Sequence, residues 1–110
     1  MEIKEYQTRV DDWIKEYGVR YFDERTNGLI LMEEVGELAR LLARIYGEQS
    51  FKSKIDEKKE LQNEIGDVLF VLTCLANQMG IDLEQVIDDN FSKKTSRDFD
   101  RHIKNPKLKE

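Results

Sequence analysis

Apolar residues recur at helical spacing along almost the whole chain, and no stretch shows the strict alternation of a half-buried strand. Ile3, Tyr6, Val10, Trp13, Ile14 and Tyr17 share one face of a first helix over residues 3–17, which Gly18 ends. Residues 19–26 read as a connection carrying two aromatics, Tyr21 and Phe22. A second helix opens at Asn27, a good N-cap residue type, and runs to Tyr46, with Gly47 as its stop and Leu31, Val35, Leu38, Leu42 and Ile45 as its stripe.

After a polar loop over residues 48–55, Ser53 with Asp56 three positions on predicts the start of a third helix, which ends at Met79-Gly80. Leu61, Ile65, Val68, Leu72, Leu75 and Met79 form its stripe. A fourth helix begins at Asp82, with Gln85 completing a second capping-box pattern and Leu83, Val86, Ile87 and Phe91 facing inward. From Asp98 onward the chain is polar and holds the only proline, Pro106, so a loosely ordered tail is expected. Four helices joined by short connections predict a compact all-α four-helix bundle over residues 1–97, followed by a basic tail over residues 98–110.

The length of 110 residues sets one domain whose core has little margin, which leaves room for association between chains. A net charge of −5 makes non-specific duplex binding a poor fit, because such binding needs Lys and Arg to displace counterions. The charge is uneven, the stretch 93–109 being rich in Lys and Arg while the middle carries the carboxylates. Cys74 is the only cysteine and sits in an apolar run, so it is expected to be a buried, inert thiol with no internal disulfide partner. With no leader pattern and no apolar run of membrane-spanning length, the cytoplasm is the expected location.

The middle of the chain changes the picture. Helix two carries Glu33-Glu34-Val35-Gly36-Glu37 and helix three carries Glu64-Ile65-Gly66-Asp67. Residues three apart share a helical face, and in both cases that face borders the apolar stripe. Ionised carboxylates beside a core repel one another and lose hydration. A base on the next turn relieves this, yet only Glu37 has one, Arg40. A bound cation is the simplest remedy, and oxygen-only ligands suit Mg²⁺ or Mn²⁺ rather than zinc. Gly36 and Gly66 each precede the second acid of a pair, which predicts close approach of the two helix backbones there. A di-iron carboxylate centre would need Glu-x-x-His on two helices. The only histidine, His102, lies in the tail.

Glu33-Glu34-x-x-Glu37 followed by Glu64-x-x-Asp67, with the basic segment Lys93-Lys94-Thr95-Ser96-Arg97, resembles the signature of the MazG-like nucleoside triphosphate pyrophosphohydrolases, in their short single-domain branch. The resemblance covers about residues 5–101 and is most specific in the acidic motifs. It implies an all-α, Mg²⁺-dependent enzyme that cuts between the α- and β-phosphates and releases a nucleoside monophosphate and pyrophosphate, with house-cleaning of the nucleotide pool as the expected role. It further implies metal ligation by Glu34, Glu37, Glu64 and Asp67, and assembly as a homodimer or homotetramer with substrate near the subunit interface. Glu33 is the candidate for assisting the attacking water, although it sits about 100° around the helix from Glu34. Lys93 and Arg97, four apart at the end of helix four, match the segment associated with phosphate binding. Trp13 and Tyr21 are candidates for stacking on the base, against the plainer reading of Trp13 as core. A non-catalytic helical module that oligomerises or binds a partner helix is the competing reading.

Overall fold

The computed structural model describes residues 1–109, and all of their regular structure is helical. Four long helices carry the chain: α1 (Ile3–Trp13), α2 (Glu24–Tyr46), α3 (Glu57–Gln78) and α4 (Leu83–Arg97). A short α5 (Phe99–Ile103) and a 3₁₀ turn (Pro106–Leu108) follow, so the tail has helical structure of its own.

Local chemistry sets the helix starts, at positions that differ from the expected ones. Asp23, not Asn27, caps α2, its carboxylate accepting from the Thr26 amide at 2.8 Å. Asn27 lies inside the helix and is buried. Asp56, not Ser53, caps α3 by accepting from the Lys59 amide at 3.2 Å. Asp82 caps α4 as expected, but Gln85 does not complete a box; its carboxamide donates to Asp89 one turn on. Gly47 ends α2 where a Cβ would stand 2.4 Å from the Ala43 carbonyl oxygen, so glycine is required. At the end of α3, Gly80 takes φ +70° and the Ile81 amide reaches back to the Ala76 carbonyl, the Schellman arrangement.

Between α1 and α2 the helix widens into a π-helical turn (Ile14–Gly18), which a γ-turn follows. Val19 adopts φ 70°, ψ −56° while the Arg20 amide donates to the Gly18 carbonyl at 2.8 Å. This is a strained conformation for a β-branched residue.

α2 and α3 form the largest helix pair, and α1 packs across α3. Asn27 meets Gln78 at one end of the pair while Glu34 meets Glu64 further along, so the two helices run antiparallel. The core is small: Val10, Ile14, Leu41, Val71, Cys74, Leu75 and Ala76. Cys74 is buried as expected, and burial pushes its thiol up to about 11, which keeps it protonated.

α3 and α4 are bent from one another by 104°, and α4 packs chiefly against α1. Here the expected inward face is corrected: α4 buries no residue, and Val86, Ile87 and Phe91 are exposed. Val35 and Leu42 on α2 and Ile65 and Leu72 on α3 are exposed as well. The reason is thickness, because one chain has no layer to place over these stripes. The radius of gyration, 17.7 Å, exceeds the roughly 13 Å of a compact chain this long. No single helix is long and apolar enough to cross a membrane among the described residues.

Candidate active site

The antiparallel α2–α3 pair brings the two acidic motifs face to face. Carboxylate oxygens of Glu34, Glu37 and Glu64 lie within 4.8 Å of one another. Asp67, one turn along α3 from Glu64, stands outside that trio but acts on it: its charge, with those of neighbouring acids, raises the pKa of both Glu34 and Glu64. The first cause in both cases is burial; for Glu34 the Asp67 charge follows, and for Glu64 the Glu37 charge.

Glu34 and Glu64 are half-buried, and each keeps one carboxylate oxygen, Oε2, out of solvent with no hydrogen-bond donor. Buried polar atoms are almost always partnered, so two orphaned oxygens on neighbouring acids mark a place that a donor or cation would complete. None of the ion pairs among the described residues reaches the four carboxylates. The clustered trio offers oxygen donors alone, from two helices, with Asp67 one turn away, and such a set fits a hard divalent cation such as Mg²⁺.

One expectation about this region is corrected. A Cβ at Gly36 or Gly66 meets nothing within 4 Å, so within a chain neither glycine serves close packing of the helices. Both are exposed, and the contact ridge between α2 and α3 runs elsewhere.

The other predicted residues are spread wider. Glu33 is exposed, on the neighbouring face of α2 from Glu34. Lys93 and Arg97 are exposed on the far half of α4, and neither pairs with the carboxylates within a chain. Arg44 makes no ion pair with the acids among the described residues, and its guanidinium lies 5.9 Å from the centre of the Phe51 ring.

Trp13 and Tyr21 do come together. Both line a pocket of about 320 Å³ with Ile14, Phe22, Ile30 and Phe70. The pocket lies next to the acids along the same helices: Ile30 is one turn from Glu34, and Phe70 is one turn from Asp67. The Trp13 indole is half-exposed and meets the Phe70 ring edge-on, with centroids 5.6 Å apart. Tyr21 has its hydroxyl committed, donating to Asp11 at 2.7 Å and accepting from Asn77 at 3.1 Å. Burial, with the bond to Asp11, pushes that phenol up to about 12. Its ring is therefore held still while its polar tip is occupied.

Sequence reasoning missed a polar cluster beside this pocket. Asn27 donates to Gln78 Oε1 at 2.8 Å and to the Phe22 carbonyl at 3.3 Å, and Gln78 donates to the same carbonyl at 2.8 Å. Asn77 and Gln7 make a second set between α3 and α1. Their partners lie 51 and 70 residues apart in the chain, and no local spacing announces them.

Comparison with known proteins shows the family. Residues 22–102 match the family described as the MazG nucleotide pyrophosphohydrolase domain, a span that includes both acidic motifs and the basic segment of α4. The chain is 43% identical to YpjD of Bacillus subtilis (strain 168) over 99 residues, covering 90% of this chain and 88% of that protein. The crystal structure of YpjD, a proposed pyrophosphatase, superposes with a TM-score of 0.77 at 42% identity, covering 84% of this chain and 94% of YpjD. A Bacillus-conserved MazG protein, a nucleotide pyrophosphohydrolase, superposes with a TM-score of 0.75 at 36% identity, covering 91% of this chain and 96% of that one.

Proposed function

The chain belongs to the MazG nucleotide pyrophosphohydrolase family and is an enzyme of that class, and on that premise we propose that it hydrolyses nucleoside triphosphates between the α- and β-phosphates, using Mg²⁺ held by Glu34, Glu37, Glu64 and Asp67. The observation that carries this reading is the pair of orphaned, inward carboxylate oxygens on Glu34 and Glu64 beside two further acids. Mg²⁺, or Mn²⁺ in its place, supplies the positive charge that draws a polyphosphate to an acidic site and favours attack by water.

The chain's own residues do the rest. The four acids, set on two long helices, stay in register with one another and need no reorganisation when the substrate arrives. Glu33, exposed on the neighbouring face of α2, accepts the proton of the attacking water at its carboxylate. Lys93 and Arg97 hold phosphate oxygens, the guanidinium by paired N–H groups and the ammonium as a point charge. The rings of Trp13 and Tyr21 take the nucleobase in the adjacent pocket, where a flat apolar surface recognises a π-face without reading its polar edge.

A homodimer or homotetramer accounts for the apolar surface of α2, α3 and α4. Leu29 and Met32 are 68% and 67% exposed, and Phe91 is 66% exposed, apolar side chains that a second copy would cover. A second copy laid over these stripes buries them and adds cations to the site. The assigned role is removal of unwanted nucleotides from the cytoplasmic pool.

A panel of ribo- and deoxyribonucleoside triphosphates with Mg²⁺, assayed for products, tests the reaction. Equal release of monophosphate and pyrophosphate is expected. Orthophosphate without pyrophosphate would place the cut at another bond.

A further inference from the structure

We propose that Gln7, on α1, is a positioning residue for catalysis: its carboxamide latches the elbow between α3 and α4, and so sets where Lys93 and Arg97 stand relative to the carboxylates. The proposal rests on the reading of those two cations as phosphate ligands.

The geometry is specific. Gln7 Nε2 donates to Asn77 Oδ1 at 2.9 Å and to the Ile81 carbonyl at 2.9 Å. Its Oε1 accepts from the Leu83 amide at 2.9 Å. Leu83 is the first residue of α4, and its amide is one of the donors that a helix leaves unpaired at its start. One side chain from a different helix thus binds the last turn of α3, the elbow and the first turn of α4. Asn77 returns the contact by donating to the Gln7 backbone carbonyl at 2.9 Å and to the Tyr21 hydroxyl at 3.1 Å. Tyr21 is fixed in turn by Asp11. The latch therefore joins α4 to the wall of the pocket that also holds Trp13 and Tyr21.

Within a chain few polar contacts steer α4. It buries no residue fully, and its remaining ion pairs with α1 come from the exposed Lys4 ammonium, 3.0 Å from Glu84 and 3.8 Å from Asp82. Exposed pairs of this kind hold a helix weakly. The arm is also long. At 1.5 Å rise per residue, Lys93 lies roughly 15 Å and Arg97 roughly 21 Å from Leu83. A tilt of about 10° at the elbow then moves Lys93 by roughly 2.6 Å and Arg97 by roughly 3.7 Å, and misplacement on the order of 1 Å is enough to cost catalysis. The carboxylates lie on α2 and α3, outside the reach of such a tilt.

The test compares Gln7→Met, which keeps length without the hydrogen bonds, and Gln7→Glu, which keeps shape without the donors, with Lys93→Ala, Arg97→Ala and the Gln7→Met/Lys93→Ala double variant. Affinity for inorganic pyrophosphate at saturating Mg²⁺ is read by calorimetry, and the effect of Mg²⁺ alone by thermal melting. Expected is a loss of roughly tenfold in pyrophosphate affinity for both Gln7 variants, an unchanged Mg²⁺ melting shift, and a double variant weakened by less than the product of the two single effects, the remaining loss acting through Arg97. If Lys93→Ala and Arg97→Ala weaken binding but the Gln7 variants do not, the latch is overturned and the phosphate reading stands. If Lys93→Ala and Arg97→Ala bind as wild type, the phosphate reading fails and takes the latch's role with it. Loss of a cooperative melt in both Gln7 variants, or a smaller Mg²⁺ shift, makes Gln7 a folding residue only and likewise overturns the proposal.

Discussion

The α2–α3 pair is built to opposite rules along its length. Near the start of α2 and the end of α3, buried polar groups are matched: Asn27 and Gln78 satisfy one another and share the Phe22 carbonyl. Two turns further along α2, Glu34 faces Glu64 across the same interface, and each has a buried oxygen with no donor. The same two helices thus carry a region where polarity specifies the fold and a region where polarity opposes it. A chain keeps the second kind of region when something outside the chain completes it, which on the proposed reading is a cation with its substrate.

Substitutions at the two regions should separate the two roles. The largest effect is expected from Glu34→Gln and Glu64→Gln: turnover falls by at least about 100-fold, since even groups that only orient a metal ligand are worth that much. The metal-free variants melt no lower than wild type, because a repelling charge is removed. Turnover by product assay and melting without metal check both halves. Asn27→Ala should do the reverse. It strips two hydrogen bonds from a buried site and leaves Gln78 Oε1 unpaired, at a cost of about 2 kcal/mol in chemical unfolding. The Mg²⁺ melting shift of the folded fraction is retained.

A pH series sharpens the comparison further. The pKa values of Glu34 and Glu64 are raised in the folded chain above their unfolded values. Their contribution therefore favours the folded state fully below the ordinary glutamate range, about 4.3, and is lost as pH rises through the raised values. Without metal, the gap in melting temperature between wild type and Glu64→Gln should narrow as pH falls. Mg²⁺ affinity should fall over the same window, at higher pH than ordinary glutamates would give. The smallest effect is expected at Val19, 84% exposed in a strained turn at φ 70°. Val19→Gly relieves that strain and is expected to stabilise the fold by about 1 kcal/mol, net of the added chain entropy, in chemical unfolding.

Much of this was legible from local patterns. The four helices, the stops at Gly47 and Gly80, the cap at Asp82, buried Cys74 and the facing acids on α2 and α3 all follow from spacing and residue type. Asn27 misled because capping and buried pairing use the same side chain, and its true partner, Gln78, is chosen by tertiary packing. The inward face assigned to α4 failed for a different reason. An apolar stripe tells that a surface seeks cover, but not that the cover lies within the same chain. Gln7 gave no signal, since its partners at the elbow exist only once α1 has crossed α3.

The most direct test is Mg²⁺ binding by the wild-type chain without nucleotide, followed by calorimetry beside Glu34→Gln and Glu64→Gln. The account predicts saturable Mg²⁺ binding that raises the wild-type melting temperature and is abolished in both variants. Equal binding by all three proteins, or none by the wild type, would contradict the assignment of the paired carboxylates as a metal site.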